Sequence, residues 1–172
     1  MNRQFRLSFA GAGLILGSVA SAQDTPGSLD GCTPLKADEV QAIIGEKLER
    51  EPRTKGLKML SVESVGCNYR SEGWTIEVRL ERGRDEDEAK GYMKTLQGIS
   101  KQPGKDARPV RGLGGDAWWG PISPTNGILT VLRKGDVLWV QTYGKGTGAG
   151  SLEKTQALME KWLAAYERLP RH

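Results

Sequence analysis

Apolar and polar residues recur with two different periods along this chain. From Lys36 to Leu48, Val40, Ile43, Ile44 and Leu48 form one helical stripe, and Gly45 is placed to end it. Glu49 to Lys58 is charged, contains Pro52 and Gly56, and reads as a loop. Met59 to Tyr69 reads as a strand region ending near Cys67, and Arg70-Ser71-Glu72-Gly73 as a turn. Trp74 to Leu80 then alternates. Trp74, Ile76, Val78 and Leu80 point one way and Thr75, Glu77 and Arg79 the other, which predicts a half-buried strand. Asp85-Glu86-Asp87-Glu88 opens a second helix, with Asp85 as cap and Glu88 in the capping-box position. Its acids suit the positive end of the helix dipole. Ala89, Tyr92, Met93, Leu96 and Ile99 give that helix a clear apolar face.

Gln102 to Arg108 reads as a polar loop. The stretch from Val110 to Tyr143 is the centre of the pattern. A tight turn at Gly112 to Gly115 leads into a strand with Trp118 and Trp119. Leu129 to Arg133 and Val137 to Tyr143 then form a hairpin around Lys134-Gly135. Both faces of the hairpin strands are apolar, which predicts a central position covered on each side. A Gly-rich link, Gly144 to Gly150, leads to a final helix capped by Ser151. Leu152, Thr155, Met159, Trp162, Tyr166 and Leu169 mark its buried side, and Pro170 ends it.

The first residues follow a different logic. Arg3 and Arg6 precede an apolar or small run from Leu7 to Val19, and Ala20-Ser21-Ala22 follows. That order is the pattern of a secretory signal peptide, and the run is too short to span a bilayer. Residues 1–22 are therefore read as a signal peptide cut between Ala22 and Gln23, residues 23–31 as a disordered lead-in, and residues 32–170 as one domain. Export to the periplasm or the exterior follows. Cys32 lies too far beyond the cleavage site to be a lipidation cysteine, so no stable membrane anchor is expected in the mature chain.

Composition adds two constraints. The chain has 25 Lys and Arg against 21 Asp and Glu. Removing Arg3 and Arg6 leaves 23 against 21, a formal charge of +2. So small a charge gives no argument for nucleic acid or a membrane surface as partner. The only cysteines are Cys32 and Cys67, an even count in an exported chain, which favours a disulfide. A metal pair or reactive thiol lacks support, because no CxxC is present and the only histidine is His172.

The motifs that could carry chemistry are few. Gly112-Leu113-Gly114-Gly115-Asp116-Ala117 spells a dinucleotide fingerprint, but Trp118-Trp119-Gly120-Pro121 follows where a helix should start. It reads as a tight turn in which Asp116 bonds local backbone. Gly144, Lys145, Gly146, Gly148, Ser151 and Lys154 lie between a strand and a helix, where N–H groups could hold an anion. The segment lacks the P-loop spelling and reads first as a connector. Trp118 and Trp119 face opposite sides of a strand, so one is core and the other is a candidate exposed stacking surface for a sugar or a partner. A nucleophilic relay lacks its base, and a metallohydrolase lacks its histidines. No metal site and no cofactor is expected. A pair of distant carboxylates meeting in a cleft stays open, without a residue pattern to single it out.

The layout resembles small exported envelope proteins of unknown function, including actinobacterial lipoprotein families with a PsbP-like α/β sandwich. The residues that carry the resemblance are Cys32-Thr33 ahead of a helix ending Ile43-Ile44-Gly45, then Cys67, then Gly112-Leu113-Gly114-Gly115-Asp116-Ala117-Trp118-Trp119 and Leu132-Arg133-Lys134-Gly135-Asp136-Val137. It spans Cys32 to Leu169 and implies a fold more than a function. This chain departs by lacking the lipidation cysteine. The expectation is a single α+β domain, a mainly antiparallel sheet with helices packed on it. The first functional expectation is an exported, non-enzymatic binding or accessory protein of the bacterial envelope, acting on an envelope protein or a small ligand. An anion binder using 144–151 is the alternative, and a carboxylate-based hydrolase the second.

Overall fold

The computed structural model describes residues 32, 35–53, 63–100, 106–145 and 151–169. The expected signal peptide and lead-in, Gly146 to Gly150 of the Gly-rich link, Pro170 and His172 lie outside the described residues. The elements are α1 (Ala37–Ile44), β1 (Glu49–Arg53), β2 (Glu63–Arg70), β3 (Trp74–Arg82), α2 (Glu86–Ser100), β4 (Arg108–Val110), β5 (Asp116–Ser123), β6 (Asn126–Arg133), β7 (Asp136–Gly144) and α3 (Leu152–Tyr166). The seven strands form one antiparallel sheet in the order β1-β2-β3-β7-β6-β5-β4. The fold is a single α+β domain with helices packed on the sheet.

Two meanders meet at the centre, where β3 pairs with β7. The helices divide between the faces. Residues of α1 and α3, among them Val40, Ile44, Leu158 and Trp162, share one buried cluster with Ile76, Val78, Leu129 and Val140 of the sheet. Ala89, Tyr92 and Met93 of α2 share a second cluster with Ile128, Leu132, Val137 and Trp139 on the other face. This explains why Val137 to Val140 are all buried. β7 is fourth of seven strands, with α3 over one face and α2 over the other. The hairpin before it turns on Lys134 (φ 54°) and Gly135 (φ 83°), both in the left-handed region that a two-residue primed turn needs.

Local chemistry sets the ends. Gly45 takes φ 86° and stops α1, four residues earlier than the apolar stripe alone suggests. Asp85 Oδ1 accepts from the Glu88 N–H at 2.8 Å. The Glu88 carboxylate reaches back to the Arg84 N–H at 2.6 Å, one residue before the capping-box position. Ser151 caps α3 by accepting from the Lys154 N–H. The Trp162 indole N–H donates to the Arg79 carbonyl oxygen at 3.3 Å and pins α3 to β3.

Three expectations are corrected. Glu49 to Arg53 is not loop but an edge strand, paired in register from Glu49↔Arg70 to Arg53↔Gly66. Pro52 and the charges are tolerated because one side of an edge strand needs no ladder bonds. Arg108 to Val110 adds the opposite edge, a strand too short to leave a pattern. The polar side of β3 is not solvated: Glu77, Arg79 and Glu81 are all buried.

Cys32 and Cys67 are joined by a disulfide, with Cα atoms 4.9 Å apart. It ties the segment before α1 to β2, and it suits an oxidising compartment. No helix among the described residues is long and apolar enough to cross a membrane.

Candidate functional site

The site starts from a charged row on a buried face. On β3, every second residue from Thr75 turns toward the α2 side of the sheet. The main contacts of α2 are with β5, β6 and β7, so it lies beside Glu77, Arg79 and Glu81 instead of over them. These three bury one another. Arg79 Nη2 lies 3.0 Å from Glu77 Oε1, and Nη1 lies 3.2 Å from Glu81 Oε1. Glu81 Oε1 also accepts from Ser64 Oγ at 2.8 Å. The guanidinium stacks over Trp139, 5.1 Å from the ring centroid. Arg79 is 8% exposed and Glu81 2%, so these charges are held by partners and not by water.

Gly66 makes room for this arrangement. It pairs with Arg79 across β2 and β3. A Cβ at Gly66 would sit 2.9 Å from Arg79 Cγ and 2.7 Å from the Val78 carbonyl oxygen. The same cross-strand row continues from Arg79 through Trp139, Thr130 and Trp118 to Pro109.

Beside the charged row the sheet and α2 leave a pocket of about 360 Å³. That is within the size range of small-molecule sites, roughly 300–1,000 Å³. Glu77, Arg79, Trp139 and Gln141 form its floor. Tyr92, Thr95, Leu96 and Ile99 of α2 form one wall, and Ile122 and Ile128 another. Gln141 is held by its amide, which donates to Asn126 Oδ1 at 3.1 Å. Ile99 is 49% exposed and Tyr143 37%, the large apolar side chains most open to water among the described residues. Both line this pocket. Burial, helped by the negative charge of Glu81 and opposed by Arg79, pushes the Tyr92 hydroxyl up to about 12. Tyr92 therefore stays a neutral hydrogen-bonding group at physiological pH.

The residues singled out from the sequence are placed elsewhere. Gly144 N–H donates to the Thr125 carbonyl and Lys145 N–H to the Gly73 carbonyl, each at 3.0 Å. The Lys154 ammonium lies over the Trp74 ring, 4.7 Å from its centroid. Ser151 is spent on its cap, and Glu153 puts negative charge in the first turn of α3. These described parts hold the link to its neighbours; Gly146 and Gly148 lie outside the described residues. Trp119 is 4% exposed in the larger cluster, packed where Gly127 leaves space. Trp118, on the opposite face, is half-buried against the α2 cluster. At Gly112 and Gly114, φ is 90° and 68°, as a tight turn requires. Arg133 closes that turn by donating to the Leu113 and Gly114 carbonyl oxygens. Asp116 begins β5 and takes no part in closing it among the described residues.

Glu77 and Glu81 flank the Arg79 guanidinium, which fills the space between the two carboxylates. An acid–base pair needs substrate in that space. The pattern Glu77-x-Arg79-x-Glu81 was visible in the sequence, but alternation alone does not tell a solvated polar face from a buried one. No group of three or more His, Cys, Asp or Glu among the described residues could hold a metal. A scan against protein-family models finds no match, and no curated protein matches the chain.

Proposed function

We propose that this chain is an exported, non-catalytic binding module of the bacterial envelope, and that its ligand occupies the pocket between α2 and the sheet. One observation carries this reading. Among the described residues, the most exposed large apolar side chains, Ile99 and Tyr143, sit on the same pocket as the buried Glu77-Arg79-Glu81 row. Exposed apolar groups around a concave site with a few fixed polar groups suit an amphipathic small molecule. Its apolar body would lie along Leu96, Ile99, Ile122 and Ile128, and its polar head would meet Glu77 and Gln141. Arg79 is already engaged on both sides, so its part is to hold the two carboxylates in place. The Cys32–Cys67 disulfide and the signal-peptide pattern support export.

The test is a thermal melt of the oxidised protein against octyl, decyl and dodecyl chains bearing amide, ammonium or carboxylate heads. A bound member at 100 times its Kd stabilises by about 2.7 kcal/mol. Stabilisation by one head class, abolished by Thr95→Trp, supports the reading, because Thr95 is exposed and lines the pocket. No stabilisation by any chain, or stabilisation that Thr95→Trp leaves intact, overturns it.

A further inference from the structure

The charged row and the Trp118–Pro109 end of the same cross-strand line lie on opposite flanks of α2. The helix therefore divides this face of the sheet into two clefts. The second cleft has a volume of about 390 Å³ and a different chemistry. Lys90, Lys94 and Gln97 line it from one edge of α2, at spacings of four and three residues, so they follow one another along successive turns. Asp116 faces them from the start of β5, and Trp118 and Pro109 supply the apolar floor.

We propose that this cleft is a binding site for a saccharide carrying one carboxylate. Trp118 and Pro109 are paired across β4 and β5 and both line the cleft, so the part of the indole left open and the proline ring offer apolar surface to the C–H face of a sugar ring. Gln97 offers both donors and an acceptor, and Asp116 accepts, which suits hydroxyl groups. Lys90 is engaged by Glu86 at 2.9 Å. Lys94 is exposed and makes no ion pair among the described residues, so it is the ammonium left for a ligand. Lys94 gives a single carboxylate its partner, while Asp116 is left to accept from hydroxyl groups and its negative charge disfavours a phosphate chain. The site does not depend on the pocket on the other flank of α2.

The probe is the disaccharide of N-acetylglucosamine and N-acetylmuramic acid, which carries one carboxylate. N,N′-diacetylchitobiose serves as its neutral counterpart. Titration is followed by the indole N–H cross-peaks of 15N-labelled protein. The acidic disaccharide is expected to move the Trp118 peak and to bind about tenfold more tightly than the neutral one, the effect of a single charge-assisted contact. Lys94→Gln should erase that preference, bringing the two disaccharides to the same affinity in the variant. Equal affinities in the unaltered protein, a response at Trp74 or Trp139 in place of Trp118, or no response at millimolar concentration overturns the proposal.

Discussion

Arg79 is the residue on which the most depends. It holds two buried carboxylates, stacks on Trp139, and occupies the space that Gly66 leaves. Arg79→Met keeps much of the length and volume but leaves Glu77 and Glu81 without their guanidinium. Breaking a buried pair by removing one partner costs about 3–5 kcal/mol, so the urea midpoint should fall by a corresponding amount. A change within ~0.5 kcal/mol, usual for surface positions, would show that the charges are solvated after all. Tyr92 makes a second residue-scale prediction. Its hydroxyl is raised from the ordinary value near 10 to about 12. The neutral form is favoured in the folded state, so its contribution is fully present below the unfolded value and is lost as pH rises through the folded one. In an absorbance titration of tyrosinate, the component removed by Tyr92→Phe should appear near pH 12; its appearance near pH 10 would contradict the burial. At this scale the sequence was half legible. The alternation of Trp74 to Leu80 correctly gave two faces to β3. It could not show that Gly66 and Trp139, distant along the chain, would enclose the polar one.

At the scale of elements, strong periodicity was the reliable guide. The apolar stripe of α2 was readable, and so was its extent to Ile99. The sequence did not reveal that the stripe continues beyond the part of the sheet that covers it. Ala89 and Met93 are buried, whereas Leu96 is half-buried and Ile99 exposed, and that mismatch is the pocket wall. The edges were least legible. β1 carries Pro52 and charges because an edge tolerates them, so it looked like a loop. The ends of α3 are set by ordinary capping. Ser151→Ala should cost about 0.5–2 kcal/mol, toward the lower end because the Oγ to Lys154 N distance is long, at 3.5 Å. Thermal denaturation of the variant checks this, and an unchanged midpoint would mean that the cap bond carries no stability.

The whole molecule depends on joining parts that the chain keeps far apart. Replacing both cysteines by alanine frees the segment before α1 from β2, across a sequence separation of 35. The loss should be roughly 3–4 kcal/mol in the chain-entropy model, measured as the shift of the urea transition. An unchanged transition would mean that the bond constrains nothing in the unfolded chain. The sequence supported an antiparallel sheet with helices, a central hairpin covered on both faces, and the cysteine pairing. It did not show the strand order, because the crossing through α2 carries β4 to the far edge, away from β3. Nor could it show the candidate site, which combines α2, β3, β5, β6 and β7. The direct test is a methyl spectrum of isoleucine-labelled protein titrated with the amphiphile that stabilises it most. Ile99, Ile122 and Ile128 line the pocket, while Ile44 and Ile76 belong to the cluster on the opposite face. The account predicts that the first three methyl signals move together and saturate while the other two stay in place. Saturable shifts at Ile44 and Ile76 with the pocket signals unmoved would place the ligand on the other face and contradict it.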